Sequence, residues 1–445
     1  MKFRIEKDSL GEVKVPQKAL WGPQTQRALD NFTISGIKFA FPFGRSFIEA
    51  LGIIKYSAAA ANNKLKLLPA NKSNAIKSAS KDVLNGLYDD SFPLDVFQTG
   101  SGTSTNMNAN DDVNMSQSSN DVIPTAICVS ALIDMNRLLL PNLDHLIKTI
   151  DLKMKQVKGN VKTGRTHLMD AMPIDFAQEL SGWKAQLEAN KKIIVLASNR
   201  MNELPQGGTA IGTGINTHKD FSKTFCSELN KISKFKTKPS KNFYQGLSSV
   251  DNAVELSSAI KNLSIILMKI SNDLRWMNSG PLTGLGEIEL EALQPGSSIM
   301  PGKVNPVIPE AVAMACADVI GNDVTVTLAG QSGNFQLNVM LPVVAYNLLK
   351  SINLLGNAMP LLANKAIKTF KVNSKNINES LSKNPILVTA LNRIIGYSKA
   401  AAIAKKAYKE NKSIIDVAHE ETGINKAQLK KLLDPSKLTK GGISE

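Results

Sequence analysis

The sequence predicts an all-α protein whose centre is a bundle of long helices. Apolar residues recur at spacings of three and four over long stretches, as one buried face of a helix requires. Aromatic residues make up only 5% of the 445 residues, whereas Ala, Leu, Ile and Lys are abundant, a composition that favours helix. With 43% hydrophobic residues, the chain can also bury a large aliphatic core.

Apolar stripes place the long helices along the chain. In the clearest one, the spacings alternate between four and three, a near-heptad pattern that suits a bundle with shallow crossing angles. The predicted helices are one from Pro124 (stripe Leu132, Met135, Leu139, Leu143, Leu146, Ile150), one from Pro173 towards Met201, one over 251–277 (stripe Leu256, Ile260, Leu263, Leu267, Ile270, Leu274), one after Pro309 and one over about 342–369. The helix after Pro309 is apolar on nearly every face, which predicts a central position.

Changes in pattern along the chain predict three domains. Residues 1–117 are mixed, with short elements broken by Gly and Pro, and residues 118–374 carry the long helices. Residues 375–445 form a small, more highly charged helical domain.

The composition indicates a soluble cytoplasmic protein. The longest apolar runs are interrupted by Lys, Asn or Asp, and the charged N-terminus lacks an apolar signal core. Cys128, Cys226 and Cys316 are odd in number and widely spaced, which excludes a fully paired disulfide framework and a zinc motif. We therefore expect a reducing compartment.

A formal net charge of +15 raises nucleic acid as a possible partner. The basic residues are dispersed, however, with one denser run at 231–243, and no aromatic residues are interleaved with them. We expect a solvated basic surface that attracts small anions, and no nucleic-acid partner.

Polar segments stand where several helices are predicted to begin. A helix N-terminus exposes unpaired N–H groups and is a natural site for a carboxylate. If these segments converge, they form a pocket for a small dianionic acid; alternatively, each segment caps only its own helix. The segments are TGSGTSTNMN (99–108), QSSNDVIP (117–124), GRTHLMDAMP (164–173) and GKVNPVIPE (302–310).

Two further features bear on chemistry. GGTAIGTG (207–214) resembles a nucleotide loop, but it lacks a GK[ST] ending and is predicted to follow a helix, so we do not expect it to bind phosphate. His167 lies beside Thr166 at a junction between a loop and a helix, where a catalytic and a structural role are equally open. Only four histidines are present, too few for a clustered metal site.

Several segments together resemble the fumarase/aspartase superfamily, and within it the class II fumarate hydratases. This resemblance implies three all-helical domains, a tetrameric core built from the central helices of four copies, and active sites that each collect residues from three subunits. The segments are WGPQTQRALDNF (21–32), TGSGTSTNMN (99–108), NMSQSSNDVIPTA (114–126), GRTHLMDAMP (164–173), GGTAIGTGINTH (207–218), GSSIMPGKVNPVIPE (296–310), GNDVTV (321–326) and GNFQLNV (333–339).

The resemblance also implies an activity, the reversible hydration of fumarate to (S)-malate through an aci-carboxylate carbanion. Ser297 matches the family's base, and Lys303 and Asn305 match the residues that bind the carboxylate. Thr166 and His167 would hold substrate and water, with His167 paired to Glu310 on the acid side. The matching substrate-binding residues are Ser101, Thr103, Ser118, Ser119 and Asn120. No cofactor or metal is implied.

An aspartate ammonia-lyase is the main alternative within the superfamily. Aspartases resemble GRTQ where this chain has His167, and MPAKVNP where it has Gly302. The segment WGPQTQR is also similar to fumarases. Losing hydroxide calls for an acid more than losing an ammonium group does, so His167 favours a fumarase.

The chain departs from the family pattern after Asn108. Family members continue into a helix and a loop before the second motif, whereas here Asn108 is followed directly by Ala109-Asn110-Asp111. The family's peripheral acid-binding site is therefore absent, and the placement of Ser101 and Thr103 is in question. A smaller departure is Gln336, where the family usually has Glu. These departures keep a catalytically impaired structural or binding homologue as a further alternative.

Overall fold

The computed structural model describes residues 2–40, 43–106, 111–296, 299–440 and 442, with the backbone alone for residues 111 and 112. Ser297 and the junction at Asn108–Ala109 lie outside the described residues.

Most of the described chain is helical, which confirms the all-α prediction. Short 3-10 helices lie at Asp89–Ser91 and Pro385–Leu391, and π-helical turns lie at Met135–Leu139 and Ala363–Ile367. The described α-helices are α1 (Pro23–Asn31), α2 (Ser46–Lys64), α3 (Ala70–Leu84), α4 (Thr103–Asn106), α5 (Asp111–Asn114), α6 (Ser119–Asp134), α7 (Leu140–Val157), α8 (Phe176–Arg200), α9 (Phe221–Ser233), α10 (Phe243–Ser248), α11 (Asp251–Met277), α12 (Val307–Gly330), α13 (Leu341–Leu362), α14 (Ser374–Lys383), α15 (Asn392–Ile395), α16 (Tyr397–Glu410), α17 (Ile414–Thr422), α18 (Lys426–Leu432) and α19 (Pro435–Leu438).

Short two-stranded sheets accompany the helices. The described strands are β1 (Phe3–Asp8), β2 (Gly11–Pro16), β3 (Val161–Thr166), β4 (Met169–Asp175), β5 (Glu203–Leu204), β6 (Lys238–Pro239), β7 (Ile288–Glu289), β8 (Gly333–Asn334), β9 (Leu337–Asn338) and β10 (Lys371–Val372). Strands β5 and β6 pair in parallel. The other pairs, β1 with β2, β3 with β4, β7 with β10 and β8 with β9, are antiparallel.

The helix predicted over 251–277 is confirmed as α11, with both ends at the predicted residues. All six residues of its near-heptad stripe are fully buried. The stripe predicted from Leu132 to Ile150 is also buried, along a helix that continues from α6 through a π-helical turn into α7. A regular apolar stripe is thus sufficient to locate these helices.

Two predicted helix starts were wrong, because neither Pro124 nor Pro173 begins a helix. Helix α6 begins at Ser119, five residues before Pro124, because Ser118 and Asp121 form a capping box at its N-terminus. Pro173 lies in strand β4 rather than at a helix start, and α8 begins at Phe176.

Within the described residues, the helices Ser119–Val157 and Val307–Gly330 are long and apolar enough to cross a membrane by length and composition, a test that core helices of soluble proteins also pass. The sequence analysis did not identify either helix as long and apolar enough to span a membrane, because it considered only whether polar residues interrupt the apolar runs. The most apolar window of the first is 78% buried, as expected of a core helix. That of α12 is only 33% buried, so the predicted central position is not reached within one chain.

The chain divides into two compact units. The first comprises Met1–Asn142, Asn190–Ile265 and Ala315–Asn357, and the second comprises Leu143–Ala189, Ile266–Met314 and Ala358–Glu445. The three domains predicted along the sequence, with boundaries after residues 117 and 374, stay a prediction.

Helix α2 is a packing centre of the first unit. It packs against α3, α6 and α9, and its side chains Ile48, Ile54 and Ala58 are fully buried. This packing fixes the start of α6, where several of the predicted site residues stand.

In the second unit, the hairpin β3–β4 rests on the C-terminal part of the chain. Strand β3 contacts α14, and β4 contacts α19 and the 3-10 turn Pro385–Leu391. Asn384 donates a hydrogen bond of 2.8 Å from its side-chain nitrogen to the carbonyl oxygen of Ala171. Buried residues from Leu381 to Leu433 form one hydrophobic cluster, against which Val161 of strand β3 also packs.

Candidate active site

A chain of hydroxyl groups joins two segments of the first unit. The Ser101 Oγ lies 2.5 Å from the Thr103 Oγ1, which in turn lies 2.9 Å from the Ser119 Oγ. We call these three residues the hydroxyl cluster. Ser101 is buried, and the other two are partly buried. The structure therefore brings together the hydroxyls of TGSGTSTNMN and QSSNDVIP, as the convergence of helix starts predicted.

Two glycines allow the loop before α4 to adopt this shape. A Cβ at Gly100 would lie 2.2 Å from the carbonyl oxygen of Val339, so that any other residue would displace one of the two segments. Gly102 has a φ of +67°, a backbone conformation that side chains disfavour. The small residues of TGSG therefore serve to seat Ser101 against its neighbours.

The start of α6 is anchored by the buried carboxylate of Asp121. One of its oxygens accepts the backbone N–H of Ser118 at 2.9 Å, and the other accepts those of Gly207 and Thr209 at 2.9 and 3.0 Å. Burial raises the pKa of Asp121 to about 6, against the effect of these hydrogen bonds, which favour the charged form.

This contact accounts for the glycine-rich segment GGTAIGTG. Its backbone N–H groups bind a carboxylate of the same chain, Asp121. The segment follows the short strand β5 rather than a helix, so that part of the prediction was wrong. The side-chain nitrogen of Asn120 also donates to the carbonyl oxygen of Ala210 at 2.8 Å, which holds this predicted substrate-binding residue beside the same loop.

In the second unit, Thr166 and His167 stand at the tip of the hairpin β3–β4. Thr166 pairs with Met169, so that His167 and Leu168 alone form the turn. Both turn residues have positive φ, 55° and 60°, as a two-residue hairpin of type I′ requires. For a leucine this conformation is rare, and such backbone strain occurs preferentially at functional sites.

The tip of this hairpin is exposed and partly apolar. His167 is exposed, and 63% of Leu168 and 70% of Met169 are accessible. Exposed apolar residues around a strained turn are typical of a surface that another molecule covers.

The base of the hairpin is held by a buried ion-pair network. Glu287 accepts hydrogen bonds from Lys162 at 2.8 Å and from the Arg165 guanidinium. Lys162 also pairs with Glu179 at 2.7 Å. Because Arg165 immediately precedes Thr166, this network fixes the direction in which the hairpin tip projects.

Loop 296–306 is closed at its base by two hydrogen bonds of 2.8 Å. The Gly296 N–H donates to the carbonyl oxygen of Lys303, and the side-chain nitrogen of Asn305 donates to the carbonyl oxygen of Gly296. A Cβ at Gly296 would lie 2.4 Å from the Lys303 oxygen, so this closure requires glycine. Ile299 at the far end of the loop is 86% exposed.

Lys303, Asn305 and Glu310 line one cavity of about 820 Å³ in the second unit, together with Arg275 and Trp276. Glu310 stands in the first turn of α12, as predicted. The cavity is large enough for a four-carbon dicarboxylic acid.

The predicted pair of His167 and Glu310 is not formed within the chain. Both residues belong to the second unit and to the described part of the chain, in which no hydrogen bond or ion pair joins them, and His167 is not among the residues that line the cavity. Of the predicted site residues, the hydroxyl cluster with Ser118 and Asn120 thus belongs to the first unit, and the hairpin tip and the cavity-lining residues belong to the second.

Sequence reasoning did not single out Lys55, Glu287 or Asp121 as site residues. Each shows a weak signal: Lys55 is the one charged residue in GIIKYSAAAA, and Glu287 follows Gly286 in GLGEIEL. Asp121 lies within QSSNDVIP, a segment predicted to begin a helix.

The chain matches models of two protein families. One, described as "Lyase", matches residues 11–321, and the other, described as "Fumarase C C-terminus", matches residues 387–440.

Curated relatives and solved structures match over nearly the whole length. A class II fumarate hydratase of Xylella fastidiosa is 54% identical over 460 aligned positions, which cover 99% of this chain and 96% of the relative. The relative named fumarate hydratase class II 2 from Pseudomonas aeruginosa is also 54% identical and covers 99% of both chains. The crystal structure of a recombinant class II fumarase from Schistosoma mansoni has a TM-score of 0.93 at 34% identity, covering 98% of this chain and 99% of that one.

The alignment with the Xylella relative contains more positions than this chain has residues. The chain therefore lacks residues that this relative has. This agrees with the stretch predicted to be missing after Asn108, without locating it.

Proposed function

Because the chain belongs to the family of class II fumarate hydratases, we propose that it catalyses the reversible hydration of fumarate to (S)-malate. The observation in the structure that best supports this is the hydroxyl cluster at the start of α6. Hydroxyl groups beside a helix N-terminus suit a carboxylate, and both substrate and product are small dicarboxylates.

In the direction of dehydration, the first step removes a proton from the carbon next to one carboxylate of malate. Ser297 is proposed as the base, and Lys303 and Asn305 as the groups that stabilise the aci-carboxylate that results. Lys303 and Asn305 line one cavity, which places an ammonium and an amide beside a single ligand volume. Charge that develops in the transition state is stabilised most by such pre-arranged groups.

The second step expels hydroxide and needs an acid. We assign this role to His167, with Glu310 as its partner and Thr166 as a residue that holds the substrate and water. Protonation of the leaving hydroxide gives water, and the electron pair of the carbanion forms the double bond of fumarate. The reaction moves a proton and a hydroxide and involves no change of oxidation state, so it needs no electron acceptor.

The remaining carboxylate is assigned to Ser101, Thr103, Ser118, Ser119 and Asn120. Ser118 also caps α6, since its Oγ accepts the backbone N–H of Asn120 at 3.3 Å. These residues belong to the first unit, whereas the proposed acid and carbanion-binding groups belong to the second.

We further propose that four copies assemble and that each active site takes its three groups from different subunits. The support is α12, on which Met314, Val324 and Leu328 are 69%, 54% and 55% exposed although the helix is apolar. These residues and Gly321 recur at spacings of seven, three and four, along one face. A Cβ on Gly321 would meet no atom within 4 Å, so another helix can approach closely there.

The proposed compartment is the cytoplasm. The free cysteines Cys128, Cys226 and Cys316 are all buried, and burial raises the pKa of each thiol to about 12. Such thiols stay protonated and inert, as suits a reducing environment.

An ammonia-lyase acting on aspartate is not favoured, because the matching relatives that we compare are named fumarate hydratases or fumarases. The impaired homologue is not favoured either, because the hydroxyl cluster that the missing stretch put in question is joined by hydrogen bonds.

The test is the ultraviolet absorbance of fumarate after purified protein is added separately to L-malate and to L-aspartate. Absorbance that rises with malate alone supports the proposal. A rise with aspartate alone would replace it with the ammonia-lyase, and no rise with either, in a folded oligomer, would favour the impaired homologue.

A further inference from the structure

Lys55 stands in an apolar part of α2 and makes three polar contacts there. Its Nζ lies 2.8 Å from the Asn106 Oδ1, 2.8 Å from the Asn114 Oδ1 and 3.1 Å from the Gln117 Oε1. An ammonium group has three N–H donors and no acceptor, so these side-chain oxygens match its full donor capacity. The three partners are neutral amides.

The three acceptors come from two stretches of the sequence: Asn106 lies in the first, and Asn114 and Gln117 lie in the second. Asn106 is the last residue of α4, the helix that begins at Thr103. Asn114 ends α5, and Gln117 immediately precedes Ser118, the N-cap of α6. Lys55 therefore joins the end of the helix that carries Thr103 to the beginning of the helix that carries Ser119.

These are the elements whose hydroxyls meet in the hydroxyl cluster. Thr103 and Ser119 can share their hydrogen bond of 2.9 Å only while the end of α4 and the start of α6 keep their relative position. We propose that Lys55 is a positioning residue, whose ammonium holds the hydroxyl cluster in the geometry that binds a carboxylate. This inference rests on the proposed function, because the cluster's role in binding substrate belongs to it.

The charge state of Lys55 argues against a purely stabilising role. Burial lowers the pKa of Lys55 to about 7, and the charge of Asp121 opposes this shift only in part. An ammonium at this position is therefore costly to the folded state, whereas an apolar side chain of similar length would not be. Lys55 also lines a cavity of about 480 Å³ with Leu51 and Ile76, which leaves room for a methionine side chain.

Two further hydrogen bonds join the residues just before Gln117 to α2 independently of Lys55. The Asn62 side-chain nitrogen donates to the Met115 carbonyl oxygen, and the Ser116 Oγ donates to the Asn62 Oδ1, each at 2.9 Å. Removal of the ammonium should thus loosen the hydroxyl cluster while the fold is kept.

The experiment compares Lys55→Met with Lys64→Met, the same substitution on the same helix. Lys64 is exposed, and within the described residues its ammonium pairs with the partly buried Glu228, at 3.4 Å. For Lys55→Met we expect a KM for fumarate and for L-malate that is at least about tenfold higher, with kcat changed less than about threefold, because ground-state and transition-state binding weaken together. Lys64→Met should retain the wild-type KM.

Three outcomes would overturn the proposal. They are a wild-type KM in folded Lys55→Met, a loss of kcat at unchanged KM, and an equal change in Lys64→Met. If Lys55→Met does not fold, Lys55→Gln keeps an N–H donor without the charge and should raise KM about threefold or more; a wild-type KM in that variant would overturn the proposal too.

Calorimetric titration with fumarate separates this inference from the proposed function. If the wild type has no hydratase activity, the proposed function fails, yet Lys55→Met should still bind fumarate more weakly than the wild type does. Equal Kd values for the two proteins would overturn the role of Lys55 whether or not the wild type turns over substrate.

Discussion

Glu287 and Lys162, 125 positions apart in the sequence, form a buried ion pair of 2.8 Å at the base of the hairpin that carries Thr166 and His167. Their side chains are only 4% and 5% exposed. Since Glu287 also binds Arg165, one carboxylate ties both cations of strand β3 to the segment around β7. The orientation of the proposed acid therefore depends on a residue that does not itself belong to the hairpin.

Substitution of Glu287 by Gln should destabilise the protein. Breaking a buried pair by removing one partner costs about 3–5 kcal/mol, and the remaining bond from Lys162 to Glu179 should keep the loss near the lower value. Chemical denaturation would measure it. Glu289→Gln, two residues further along the chain in strand β7 but exposed, is the control and should change the free energy of unfolding by less than about 0.5 kcal/mol. Equal losses in both variants would contradict the assigned role of the network.

Asp121 should leave a signature in the pH dependence of stability. Its pKa in the folded protein is about 6, above the ordinary 3.8, so the protonated carboxyl is favoured by folding. The stabilisation is complete below pH 3.8 and is lost as the pH rises through 6. Relative to Asp121→Asn, the wild type should lose up to about 3 kcal/mol between pH 4 and 6.5, since one pKa unit corresponds to about 1.4 kcal/mol. Denaturation curves with parallel pH dependence in the two proteins would show that Asp121 does not titrate in this range.

His167→Asn should remove the proposed acid and preserve the turn. Asparagine tolerates the positive φ of 55° found at this position better than alanine does. We expect kcat to fall by about 10²–10⁴, the usual contribution of a general acid, with a smaller change in KM. His218→Asn, at a histidine that is partly exposed, should retain activity. Wild-type turnover in His167→Asn would exclude this assignment.

Val324→Glu should prevent the proposed assembly. The charge would stand on the exposed apolar face of α12, where burial against another subunit leaves it without a partner. Sedimentation should show a mass well below four times 48.1 kDa, together with loss of activity. Tyr408→Glu, at a residue 83% exposed on α16, serves as the control and should stay assembled. A fully assembled Val324→Glu would place the interface elsewhere.

The long helices could be predicted because their signal is local. In α11, apolar residues at alternating spacings of four and three determine the buried face without reference to the rest of the chain. The starts of helices were harder to predict, since a proline does not mark one fixed position relative to a helix start. Pro124 lies inside α6, and Pro173 lies in strand β4. The capping box of Ser118 and Asp121 was the better guide to the start of α6.

Contacts between distant segments could not be predicted from the pattern of residues. Lys55 and Gln117 are 62 positions apart, and the identity of each partner depends on how α2 packs. The resemblance to the fumarase/aspartase superfamily predicted the site residues, and the structure joins Ser101, Thr103 and Ser119. It could not show whether His167 meets Glu310 within one chain, because a family match assigns roles to residues without saying which chain supplies each of them.

The proposal that each active site combines groups from different subunits can be tested by mixing subunits. His167→Asn and Lys303→Met, each nearly inactive alone, are unfolded together, refolded as a mixture and assayed by fumarate absorbance. We predict a gain in activity of at least about tenfold over either parent, since some sites then receive His167 from one subunit and Lys303 from another. A mixture no more active than its parents, in correctly assembled protein, would contradict the claim and place both residues in a site formed by a single chain.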